Sequence, residues 1–144
     1  MYPVPVEKVA AALGGERALN VRLATVSDLR EAVRRGLPRA VVRELAKAAA
    51  YGKDDQKRVA DLVASEATLK RSQVLSPAAS ERAERIARVV ALAQEALDSP
   101  AKAQEWLHRP NPMLGAAPIR LAATDLGARQ VEQVLANIEY GLPA

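Results

Sequence analysis

Two Ser-Pro pairs, Ser76-Pro77 and Ser99-Pro100, constrain this chain more than any other local feature. Serine offers a side-chain oxygen to the unpaired amides of a first helical turn, and proline, with a fixed φ and no N–H, suits the first helical position. Each pair therefore marks a helix start. After the first, Ile86, Val89, Val90, Ala93 and Leu97 define one face over about five turns at 3.6 residues each. After the second come Trp106 and Leu107, and Pro110-Asn111-Pro112 ends that helix, because proline disfavours helical geometry in the residue before it.

The same reading divides the rest of the chain. Val6, Val9, Ala10 and Leu13 predict a short amphipathic helix stopped by Gly14-Gly15, with a short extended stretch expected over Asn20 to Ala24. Ser27-Asp28 with Glu31 reads as a capped start, Leu29 and Val33 as its inner face, and Gly36 as its end. Pro38 is expected to open a helix carrying Val41, Val42, Leu45, Ala48 and Ala49, closed by Tyr51-Gly52. Asp54 is expected to cap a helix with Val59, Leu62 and Val63, and Ser65-Glu66 to cap a short one with Thr68 and Leu69. Near the end, Pro118 opens a brief piece with Ile119 and Leu121. Thr124-Asp125 then caps a last helix with Val131, Val134, Leu135 and Ile138 inward and Gly141 at its C-terminal cap. The expected fold class is all-α.

Composition agrees. Apolar residues make up 49% of the 144, yet aromatics are 3% with no Phe, so the core is aliphatic and assembled from helix faces. The absence of Cys excludes a disulfide framework, a thiolate zinc site and a thiol nucleophile. No run approaches the roughly 18 apolar residues of a membrane span, and the first residues carry no basic-then-apolar leader, so a cytoplasmic protein is expected. His108 is the single His and has no recognisable catalytic partners; it reads as an exposed helix-end residue. Asp54, Asp55 and Asp61 lack the alternating ligands of a calcium loop, and Gly14-Gly15 lacks the Lys-Ser/Thr of a phosphate-binding loop. No enzyme, cofactor or metal is expected.

Charge is uneven. Residues 1–75 hold 14 Lys and Arg against 9 Asp and Glu, a net of +5, whereas residues 76–144 hold 7 against 8. A basic half beside a near-neutral one suggests one part facing polyanions and one facing protein, although a well-solvated arginine-rich surface would read the same way. Two domains are expected, 1–75 and 76–144. The two short helices around residues 57–73 have the outline of a helix-turn-helix, the second offering Thr68, Lys70, Arg71 and Gln73 to a groove, with Lys57, Arg58 and Ser65 beside them. Arg34, Arg35, Arg39 and Arg43 add positive field suited to DNA phosphates.

Three blocks stand in a telling order: LSPAASERAERIARVVALA (75–93), WLHRPNPMLG (106–115) and TDLGARQVEQVLANIEYGLPA (124–144). Through them the second half resembles the Xre/MbcA/ParS-like antitoxin family, partners of RES-domain toxins. The first half is similar more loosely, in SDLREAVRRGLPRAVVREL (27–45) and SEATLKR (65–71). Where such antitoxins commonly carry a Gly in the helix-turn-helix turn, VADLVASEATL (59–69) has none and is one residue shorter. The resemblance implies a helical fold, a C-terminal region that grips an NAD-consuming, ADP-ribosyltransferase-like toxin, homodimerisation and repression of the protein's own operon.

It further implies that Tyr140, Gly141, Leu142, Pro143 and Ala144 enter the toxin's NAD cleft; taken alone, the same segment is a helix stop with a short apolar tail. Arg129, on a face apart from Val131 and Ile138, reads either as a toxin contact or as a solvated residue. Trp106 and Pro-Asn-Pro read as structural. The competing function is a stand-alone helix-turn-helix regulator whose second half only dimerises.

Overall fold

The computed structural model describes residues 1–142, and Pro143 and Ala144 lie outside the described residues. Among the described residues ten helices follow one another: α1 (Val6–Ala12), α2 (Gly15–Leu19), α3 (Val26–Arg35), α4 (Ala40–Ala49), α5 (Lys53–Val63), α6 (Glu66–Arg71), α7 (Pro77–Leu97), α8 (Pro100–His108), α9 (Pro118–Leu121) and α10 (Asp125–Glu139). Among the described residues there is no sheet, only two isolated antiparallel bridges, Pro38 with Val74 and Asn111 with Ala116.

The Ser-Pro reading of the sequence holds at both sites. The Ser76 hydroxyl accepts from the Ala79 amide at 3.1 Å and the Ser99 hydroxyl from the Lys102 amide at 3.2 Å, each with proline in the first turn. α7, at 21 residues the longest helix, is the spine: Ala83, Ile86, Ala87, Val89, Val90, Ala91 and Ala93 are wholly buried. Residues on so many of its faces are covered because α1, α3, α4, α5, α8 and α10 all lie against it. Of its residues only Pro77, Ala78 and Glu81 are exposed; Arg82, Glu84, Arg85, Arg88, Gln94 and Glu95 are half-buried among the helices around it, so more than a single stripe is covered. Buried residues from Val4 to Leu135 form one aliphatic cluster.

Several helix starts differ from the sequence reading. Thr25, two residues before Ser27, is the N-cap of α3: its hydroxyl accepts from the Asp28 amide at 3.0 Å while Asp28 accepts from the Thr25 amide at 3.0 Å. Asp28 is thus the partner of a capping box rather than its first member. The Ala24 amide, at 3.0 Å, and then the Thr25 amide hold the Asp28 carboxyl below the usual carboxylate range. Gly52, not Asp54, precedes α5, and Asp54 and Asp55 lie in its first turn. Pro38 does not open α4 but lies two residues before it, ahead of the N-cap Arg39, and is held in the bridge to Val74. Residues 21–24 form no strand; Asn20 turns left-handed at φ 60°, and Leu23 is buried without a strand partner.

That bridge belongs to a clasp between the α3–α4 and α6–α7 connections. The Arg39 amide donates to the Gln73 carbonyl and the Leu75 amide to the Leu37 carbonyl, both at 2.8 Å. Beneath it, the fully buried Ser80 hydroxyl accepts from the Leu37 amide at 2.8 Å, so a donor that would otherwise be stranded in the core is satisfied. Gly36 makes the clasp possible. Its φ is 97°, and a Cβ built there would lie 2.3 Å from the Leu75 carbonyl oxygen.

Candidate functional site

α5 and α6 meet through a turn of two residues. Ala64 is extended (φ −162°, ψ 154°) and buried, and Ser65 caps α6 by accepting from the Thr68 amide at 3.2 Å. The missing Gly is explained by this geometry: no residue of the turn needs positive φ, so a Cβ is tolerated throughout. Val59 and Val63 anchor α5 in the core, whereas α6 buries no residue fully and half-buries only Leu69. Glu66, Ala67, Thr68, Lys70 and Arg71 are exposed, which leaves the short helix free to meet a groove.

The expected DNA-facing residues are brought together on this unit in part. Lys70 pairs with Glu66 at 3.4 Å, Arg58 with Asp55 at 2.6 Å, and the Arg71 guanidinium donates to the Thr68 hydroxyl at 3.3 Å. Exposed pairs of this kind contribute about 0.2–1 kcal/mol, so a phosphate can displace them. Lys57 is exposed on α5. The Ser65 hydroxyl is committed to the cap and donates to Thr68 Oγ1 at 2.8 Å. Gln73 lies beyond α6, its carbonyl held by Arg39. Arg34 and Arg35 both converge on Glu31, whose carboxyl is lowered to about 2, chiefly by the Arg34 hydrogen bond.

At the other end, α10 is capped by Thr124, whose hydroxyl accepts from the Gly127 amide at 3.0 Å, and it buries Val131, Val134 and Leu135; Ile138 is half-buried. Arg129 is exposed and pairs with Asp125 at 3.2 Å. The helix ends in a hydrogen-bonded cap. The Gly141 amide donates to the Ile138 carbonyl at 3.1 Å and the Leu142 amide to the Asn137 carbonyl at 2.7 Å, with Gly141 at φ 72°. This pair of hydrogen bonds around a left-handed glycine is a Schellman cap. It holds Tyr140, 78% exposed, and Leu142, 56% exposed, in a defined place on the surface. Pro143 and Ala144, expected to complete the segment, lie outside the described residues.

Two arrangements had no sequence signal, because each joins residues far apart in the chain. Tyr2 donates to Glu84 at 2.7 Å, Glu84 pairs with Arg88 at 3.2 Å, and Arg88 approaches Glu132 on α10 at 2.8 Å, close enough for Coulombic attraction though not aligned as a hydrogen bond. Burial, then the Glu84 charge, pushes the Tyr2 hydroxyl up, and burial also raises Glu132 against the pull of Arg88. This network ties the N-terminal segment and α10 to the spine.

The second arrangement corrects the reading of His108. It is half-buried rather than exposed: Nε2 lies 2.7 Å from the Ala49 carbonyl and Nδ1 3.7 Å from Asp55. Gln104 donates to the Ala48 carbonyl at 3.2 Å, so α8 closes the C-terminal end of α4. Trp106 is half-buried against the core. Among the described residues, no group of three or more His, Cys, Asp or Glu is placed to hold a metal ion, and no helix is long and apolar enough to cross a membrane.

Comparison with known families finds two matches. Residues 28–88 match the Antitoxin Xre-like helix-turn-helix domain, which spans α3 to the first half of α7. Residues 92–141 match the Antitoxin Xre/MbcA/ParS C-terminal toxin-binding domain, which covers the end of α7 through the α10 cap. No curated protein matches the chain.

Proposed function

The chain belongs to the Xre/MbcA/ParS antitoxin family, carrying its helix-turn-helix domain ahead of its toxin-binding domain, and we propose that it neutralises a RES-domain, NAD-consuming toxin by occlusion. Residues 76–144 face the toxin and residues 1–75 face operator DNA. The observation that carries the reading is the ordered cap after α10, which presents Tyr140 and Leu142 outward although both are large and apolar enough to favour burial. An aromatic held in one place gives a partner large contact area at small entropic cost. The segment from Tyr140 to Ala144 occupies the toxin's cleft, Arg129 contacts the toxin beside it, and the antitoxin itself performs no chemistry. The direct test is co-expression with a RES-domain toxin: growth and cellular NAD should be restored and the two proteins should co-purify. Continued NAD loss beside well-expressed antitoxin would contradict the assignment.

Autorepression is the second part of the proposal, carried by α6 and its neighbours Lys57, Arg58, Ser65 and Gln73. Replacing Lys70 and Arg71 by Ala should weaken binding to the protein's own promoter by about 5- to 150-fold and flatten its salt dependence, since each phosphate contact adds about 0.9 to the slope of log affinity against log salt. Toxin binding should be unchanged. Mobility-shift titrations at several salt concentrations measure both, and unaltered affinity would remove α6 from the interface.

We infer that the repressing form is a homodimer, because helix-turn-helix proteins commonly place two recognition helices on two half-sites. Light scattering at micromolar concentration should give about twice the 15.4 kDa chain mass. A monomer under those conditions would refute the dimer.

A further inference from the structure

Beside the recognition unit lies an open groove of about 790 Å³ between α2, the start of α4 and Gln73. Four of its walls are cationic side chains, Arg17, Arg39, Arg43 and Lys47, all exposed, and its one acid, Glu44, is already engaged by Lys47 at 3.2 Å. Elsewhere in the first half Arg34, Arg35 and Arg58 are paired with carboxylates. Arg17 and Arg43 are in no ion pair among the described residues. Unpaired guanidinium groups crowded along one groove repel one another, and an anion between them relieves that repulsion.

We propose that this groove is a seat for the DNA sugar-phosphate backbone, so that the DNA footprint extends beyond the helix-turn-helix to Arg17 and Arg43. The proposal rests on the reading of α6 as the DNA-facing helix. DNA is favoured over a small anion because the cations are spread along an open surface rather than enclosing a pocket. It is favoured over other polyanions because the groove is joined to the recognition helix itself. Arg39 Nη1 donates to the Leu69 carbonyl of α6 at 2.9 Å, and its amide holds Gln73, which also lines the groove. A duplex entered by α6 would therefore have its flanking strand beside Arg39, with Arg43 and Arg17 further along. Such contacts position the protein without reading sequence.

The test compares promoter duplex and a scrambled duplex of equal length against three proteins: wild type, the double variant Arg17→Ala with Arg43→Ala, and the variant Lys70→Ala with Arg71→Ala. Arg17 and Arg43 hold no structural partner, so thermal melting of the first variant should match wild type. Its affinity should fall by similar factors on both duplexes, and its log–log salt slope should shrink by about 2, one contact per arginine. The α6 variant should instead lose more affinity for the promoter than for the scrambled duplex, because α6 enters the groove where base edges are exposed. Wild-type slope and affinity in the Arg17/Arg43 variant, with the α6 variant impaired, would overturn the groove and leave the α6 reading intact. If wild type binds neither duplex at low salt, the α6 reading fails and the groove with it. Equal loss on a single-stranded RNA of the same length, with stronger wild-type binding there than to either duplex, would also overturn the assignment to DNA.

Discussion

Removing residues 140–144 is expected to release toxin activity while the truncated antitoxin still binds. The surfaces that would hold the complex, on α10 around Arg129 and along the helices packed on α7, are untouched by the deletion, because Val131, Val134 and Leu135 keep α10 in the core. What disappears is the segment proposed to fill the NAD cleft. The deletion also removes the two cap hydrogen bonds from Gly141 and Leu142, which loosens only the last turn of α10. Tyr140→Ala should act in the same direction at about 2 kcal/mol or more, roughly a 30-fold weaker occlusion, if the ring is a buried anchor in the complex. The measurements are a pull-down for association and an NAD assay for inhibition, read on the same samples. Full neutralisation by the truncated chain would eliminate the plug and place inhibition elsewhere on the C-terminal half. Loss of the complex itself would show the segment to be the main binding element rather than a stopper on an independent interface.

The second large effect is expected at Gly36. Gly36→Ala places a methyl group 2.3 Å from the Leu75 carbonyl oxygen and 2.7 Å from a Val74 methyl, at a backbone angle of φ 97° that L residues rarely adopt. Strain at a left-handed position is about 1–3 kcal/mol and overpacking against backbone adds about 1–3 kcal/mol. Together these remove about 3 kcal/mol or more, which for a chain of this size lowers Tm by about 10 °C. Gly52→Ala is the control, since it shares the positive φ, at 110°, but its Cβ would meet nothing within 4 Å; it should lose only the backbone part. Because the clasp sets the base of α6, surviving folded Gly36→Ala protein should bind promoter DNA more weakly than its stability loss alone accounts for. Equal melting temperatures for the two variants would show that the clasp yields without strain.

The sequence by itself determined the helices that carry strong local punctuation. Both Ser-Pro starts, the Ser65 and Thr124 caps, the Pro-Asn-Pro corner and the Gly141 stop are decided by bonds between residues two to five apart, and such bonds are visible in a string of letters. The family was legible for a related reason: its blocks are these same caps and turns in a fixed order. Ser27-Asp28 reads as the start of α3, yet the cap is Thr25, whose bonds with Asp28 are as local as those of the other caps. Only the tertiary structure decided what lies between distant residues. α7 read as a helix with one apolar stripe, and the fold buried it on nearly every side because helices from both halves needed the same surface. His108 read as an exposed end residue until α8 came to rest on the carbonyls of α4, and Arg17 lay in an unremarked helix until α2 set it beside Arg43. Local hydrogen bonding is written within a few residues of itself, whereas burial, charge clustering and long-range pairing depend on which faces meet, and that is settled by the global competition to cover apolar surface.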